Sequence, residues 1–117
     1  MKTIALVEDS ALAIHLWKLE LENQCCLKVF DSFEDLLNYD QCLNLIILDY
    51  YLLKGRLDHQ IFQRIIEKFC VPTFISTCLP EVITDSEETW EGLTGVIPKG
   101  LESISFIQDE IALLLAN

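Results

Sequence analysis

The sequence predicts an α/β domain: a doubly wound, five-stranded parallel sheet with helices on both faces. Three observations predict it. Short apolar runs alternate with segments of helical periodicity five times along the chain. The runs read as apolar throughout, as strands buried on both faces do. The chain has 117 residues, close to the commonest domain size and enough to bury a real core. No linker, low-complexity tract or internal repeat interrupts it, so residues 1–117 read as one domain.

The first strand is Thr3 to Val7, stopping at Glu8-Asp9. Ser10 can cap the helix that follows, where Leu12, Leu16 and Leu19, and also Ala13, Trp17 and Leu21, recur at helical spacing. Cys25 to Phe30 reads as a second strand. Ser32-Phe33-Glu34-Asp35 has capping-box spacing and opens a short helix through Tyr39. Leu43 to Leu48 is the most strand-like run, and its hydrophobicity makes it central; it ends at Asp49. A loop containing Gly55 follows, then a helix from about Asp58 to Phe69 with Ile61, Phe62, Ile65, Ile66 and Phe69 on its apolar side. Val71 to Thr77 is a fourth strand, with Pro72 near its start where a missing N–H is tolerable. Pro80 to Glu91 is a poor helix, polar and of weak propensity, and is expected to be the least ordered element. Leu93 to Pro98 is a fifth strand. Leu101 to Leu115 forms the last helix, with Leu101, Ile104, Ile107, Ile111, Leu114 and Leu115 on one face.

Composition narrows the function. Hydrophobic residues make up 51% of the chain, which excludes disorder. No apolar run reaches the roughly 18 to 20 residues of a membrane span. The N-terminus enters a strand directly, without a signal-peptide pattern. A cytoplasmic domain is expected. Nineteen acidic against eight basic residues give a net charge of −11. Such a surface repels phosphate backbones, so nucleic-acid binding by this domain is not expected. Acids gathered in one cleft would instead attract a divalent cation. Cys25, Cys26, Cys42, Cys70 and Cys78 lack C-x-x-C spacing and read as small buried hydrophobes in a reducing compartment; zinc is a poor alternative.

In doubly wound folds, ligands bind outside the carboxyl ends of the strands, where strand order reverses. Function is therefore sought at Glu8-Asp9, Asp49, Ser76-Thr77 and Pro98-Lys99. Glu8, Asp9 and Asp49, ending the first and third strands, would meet in one cleft and repel one another. A hard cation relieves that repulsion, and carboxylate oxygens with water suit Mg2+. Thr77 offers a hydroxyl and Lys99 a positive charge. A carboxylate nucleophile beside a cation, a lysine and a hydroxyl suits phosphoryl transfer.

The runs IALVEDS, LIILDYYL, PTFIST and GVIPKG resemble, in order and spacing, the signature segments of response-regulator receiver domains, over the whole chain from Lys2 to the last helix. The resemblance implies a flavodoxin-like fold and a phosphorelay function. Asp49 would be the phosphoacceptor, Asp9 a direct Mg2+ ligand, Glu8 a ligand through water, and the Tyr51 backbone carbonyl a further ligand. Thr77 would hydrogen-bond the phosphoryl group and Lys99 would pair with it; Ser76 would face the opposite way. A histidine kinase or phosphotransfer protein would supply the group. A downstream protein or attached output domain would read the fourth-helix, fifth-strand and fifth-helix face, and a homodimer through the last helix and its neighbouring strand would be family-like. The domain would catalyse its own phosphorylation and dephosphorylation without being a conventional enzyme. Bulky Tyr51 and Leu79, at positions that flank the path of attacking water in the family, imply slow self-dephosphorylation.

The chain also departs from the family. Gly100 follows the lysine where proline is usual, and Val96 stands where an aromatic switch residue is frequent. Cys78 replaces the usual small residue, and the usual Pro and Gly of the loop after the acceptor are replaced around Leu53 to His59. These changes keep open a second class, a receiver-like interaction module that signals without phosphorylation. A flavin-nucleotide site is disfavoured because Glu8-Asp9 would repel phosphate. A haloacid-dehalogenase-type phosphatase would need Asp where Tyr51 stands. His15 and His59 read as surface or core-edge histidines, and Trp90 as a core or partner-facing residue.

Overall fold

The computed structural model describes residues 2–21, 23–78, 80–84, 89–99, 109 and 111–116. Its elements are β1 (Thr3–Val7), α1 (Ala11–Leu21), β2 (Cys26–Phe30), α2 (Phe33–Leu37), β3 (Leu45–Asp49), β4 (Tyr51–Leu52), β5 (Gly55–Arg56), α3 (His59–Phe69), β6 (Thr73–Thr77), α4 (Glu81–Thr84) and β7 (Gly95–Pro98). Residues 111–116 are also helical. The expected last helix is described only there and at Asp109, and residues 85–88 of the expected fourth helix lie outside the described residues.

Five strands form one parallel sheet in the order β2-β1-β3-β6-β7. The predicted fold class is therefore the observed one. Chain order reverses beside β1 and β3, and these are the strands that end at Glu8-Asp9 and Asp49. All five residues of β3 are buried, as befits a central strand covered on both sides. Ala5, Val7, Ile46, Leu48 and Ile75 pack with Phe62 and Ile65 of α3 on one face. Ile4, Leu6, Leu45, Ile47 and Phe74 pack with Trp17, Leu21 and Ile111 on the other.

Helix starts follow their caps. The Ser32 hydroxyl accepts the Asp35 N–H at 3.1 Å, and Asp58 Oδ1 accepts the Ile61 N–H at 2.7 Å. Ser10 Oγ takes the Ala13 N–H at 3.3 Å. Each satisfies an amide that the first helical turn leaves without a partner.

Three expectations need correction. Helix α1 is apolar nearly all round, and Trp17 and Leu21 win the core, leaving Leu12 68% and Leu19 61% exposed. Cys42, Cys70 and Cys78 are exposed, and only Cys25 is buried. Three of the five thiols therefore face solvent rather than filling the core. The loop after Asp49 is an antiparallel hairpin, β4 against β5, with Tyr51 opposite Arg56 and Leu52 opposite Gly55. Gly55 sits at φ 146, a conformation closed to most side chains.

Candidate functional site

The parallel register delivers three carboxylates to one sheet edge. Val7, the last residue of β1, is aligned with Leu48, which puts Glu8-Asp9 beside Asp49. One oxygen from each of Glu8, Asp9 and Asp49 lies within 4.8 Å of the others. Glu8 and Asp49 are almost wholly buried, at 1% and 3% exposure.

Burial of two acids is costly unless each is paired. Glu8 Oε1 accepts the Asp9 and Ser10 N–H groups, each at 3.1 Å, so it also serves the N-terminal turn of α1. Lys99, just past β7, reaches in from the other side. Its Nζ lies 3.0 Å from Glu8 Oε2 and 3.0 Å from Asp49 Oδ1. Glu8 Oε2 has no hydrogen bond of good angle, so its partner is the ammonium charge itself.

The charges tune one another. The Asp49 carboxyl is pushed up from 3.8 to about 7, first by burial and then by the hydrogen bond and charge of Glu8, with Lys99 opposing. Burial alone would lower the Lys99 pKa, but its bonds to Asp49 and Glu8 outweigh that and raise it.

Asp9 is less buried than Glu8 and Asp49. Its Oδ2 accepts the Leu53 N–H at the hairpin tip, at 2.6 Å. Lys54, beside it, pairs with Asp31 at 3.3 Å. The hairpin is thus pinned to the loops after β1 and β2. Backbone contacts such as the Leu53 amide carry no residue-type signal, and sequence reading missed them.

Tyr51 opens the hairpin, two residues after Asp49. Thr77 ends β6, is buried, and its carbonyl accepts the Lys99 N–H at 2.8 Å. Ser76 is the register partner of Asp49 and lines a groove of about 380 Å³ beside α1 with Ser10, Trp17, Cys78 and Lys99. Leu79 and Gly100 lie outside the described residues. The site therefore brings together Glu8, Asp9, Asp49 and Lys99, and sets Thr77 and Tyr51 on adjoining strand ends.

The donor set suits a hard divalent cation. Three carboxylates supply oxygen ligands, and a cation would share the buried Glu8 Oε2 with the Lys99 charge. No sulfur or imidazole belongs to the cluster, which argues for Mg2+ over zinc.

Among solved structures, the chain has the fold of response-regulator receiver domains. It matches the BeF3-activated receiver domain of DrrB with a TM-score of 0.82 at 21% identity, over 100% of this chain and 99% of that one. Against DrrB of Thermotoga maritima, an OmpR/PhoB homologue, the TM-score is 0.82 at 20% identity; 99% of this chain is covered but only 53% of that one, about half its length. The response regulator TrrA of Thermotoga maritima, in complex with Mg2+ and BeF, matches with a TM-score of 0.80 at 20% identity, over 97% of this chain and 99% of that one. No family model and no curated protein matches the sequence.

Proposed function

We propose that the chain is a phosphoacceptor domain of a two-component phosphorelay, taking a phosphoryl group on Asp49 from a histidine kinase or phosphotransfer protein. One observation carries the reading: a buried Asp49 in contact with the Lys99 ammonium, inside a cluster of three carboxylates. An Asp49 carboxylate oxygen attacks phosphorus, forming a P–O bond as the P–N bond to the donor imidazole breaks. The bond's electron pair stays on the donor nitrogen, which is protonated as it leaves. Asp49 must be ionised to attack, and Lys99 at 3.0 Å favours that form. Lys99 then offsets charge on the transferred oxygens, and the Thr77 hydroxyl is the hydrogen-bond donor to them. Glu8, Asp9, Asp49 and the Tyr51 carbonyl would hold Mg2+, which when bound neutralises the phosphoryl oxygens. The new charge biases the face formed by α4, β7 and the last helix, where a downstream protein or output domain would read it.

The test is incubation with acetyl phosphate or candidate kinases in Mg2+. Wild type should form an acid-stable, base-labile acyl phosphate, and Asp49→Asn should form none. Labelling that persists in Asp49→Asn refutes the assignment. Absence of Mg2+ affinity in titration calorimetry would instead favour an interaction module that signals without phosphorylation.

A further inference from the structure

Tyr50, the residue after Asp49, is pinned by its backbone on both sides. Its N–H donates to Ser76 O at 2.9 Å and its carbonyl accepts the Leu57 N–H at 2.9 Å. Its ring is buried and meets two others edge-on, Tyr51 at 4.7 Å and Trp90 at 6.1 Å between centroids. Trp90 lies far along the chain, in the segment between α4 and β7. It stacks on His59, the first residue of α3, at 3.8 Å and 27°, and meets Phe62 edge-on at 5.3 Å. Its carbonyl accepts the Leu93 N–H, just before β7.

We propose that Trp90 is a conformational sensor, seated by aromatic contact against Tyr50, that couples the chemical state of Asp49 to α3 and to the segment entering β7. The inference rests on the phosphoacceptor reading above. Two observations carry it. The ring contacts give an unbroken path from the acceptor strand to Trp90, so a shift of Tyr50 reaches the indole directly and one of Tyr51 reaches it through Tyr50. The seat also carries opposing contributions. Aromatic pairs favour it, but the indole Nε1 is buried without a hydrogen-bond partner among the described residues, and an unpaired buried N–H opposes it. Displacement of the Tyr50 ring would remove one of those contacts and favour a second arrangement, in which the indole N–H reaches water. The switch acts on the start of α3 through His59 and on the approach to Lys99 through Leu93 and β7.

The chain has two tryptophans, so an indole 15N–1H spectrum shows one sensor and one internal control, assigned with Trp90→Phe. On adding Mg2+ and beryllofluoride to wild type, the Trp90 indole signal should shift and exchange with water at least roughly tenfold faster, as expected for local opening. The Trp17 indole lines the groove beside Lys99, so its signal can shift with ligand but should gain no faster exchange with water. In Tyr50→Leu the same ligands should bind by calorimetry without moving Trp90. A Trp90 signal that stays fixed in wild type while calorimetry shows saturation overturns the sensor and leaves the function standing. No uptake of Mg2+ and beryllofluoride overturns both. The wild-type measurement is decisive even where Tyr50→Leu does not fold.

Discussion

Asp49 works against its own surroundings. Burial favours the neutral acid, whereas attack on phosphorus needs the anion, and its pKa of about 7 is the compromise. The sign of the effect on stability follows. Between its ordinary 3.8 and about 7, folded Asp49 keeps a proton that the unfolded chain has released. The folded state binds more protons there, so stability falls as pH rises through that window. Denaturant melts of metal-free wild type from pH 4 to pH 8 should show a fall that is absent from Asp49→Asn; parallel profiles would contradict it. Tyr51, half-exposed beside the site, carries a second expectation. If its ring blocks water, Tyr51→Asn should shorten the acyl-phosphate lifetime by roughly tenfold, about 1.4 kcal/mol in barrier, as read from loss of label. The acids were legible at this scale because a carboxylate ending an apolar strand is conspicuous. Lys99 was legible by its place after the fifth strand of the sheet. Its simultaneous contact with Glu8 and Asp49, and the Leu53 amide on Asp9, were not, since both depend on backbone positions that only the folded chain fixes.

Strands read well because a run buried on both faces is apolar at every position, and β3 is the plainest case. Helix α3 read well for the opposite reason: its apolar residues keep to one stripe, and Asp58 caps it. Helix α1 has leucines on two faces, so periodicity could not say which would be buried. Trp17, the largest side chain, took the core. Accordingly Leu12→Lys and Leu19→Lys should each change stability by no more than about 0.5 kcal/mol, while Trp17→Ala should cost roughly 3–5 kcal/mol. Urea melts compare them. The hairpin escaped notice because Leu53-Lys54 has none of the Asn-Gly or Asp-Gly chemistry that marks such turns. At the end of α3, Cys70 holds a left-handed conformation, φ 53, that glycine adopts without strain. Cys70→Gly should therefore stabilise the protein by roughly 0.5–1 kcal/mol, measured as a higher urea midpoint at unchanged slope.

Across the whole molecule, an excess of eleven negative charges repels itself, and three of the acids responsible meet at one point. A cation bound there stabilises the folded chain by mass action, about 2.7 kcal/mol at a hundred times its dissociation constant. Mg2+ should raise the melting temperature of wild type well beyond what monovalent salt at equal ionic strength achieves by screening. Asp49→Asn should lose most of that excess. Equal rises with both salts would remove the cation from the account. The strand order has a further consequence, for synthesis. β1 lies between β2 and β3, and β3 needs β6 on its other side. A ribosome that has released only the first forty residues has made a strand with one neighbour, and its other flank stays bare until β3 emerges. Nascent chains arrested before β6 clears the exit tunnel should therefore remain open to protease, with protection arriving late and nearly all at once.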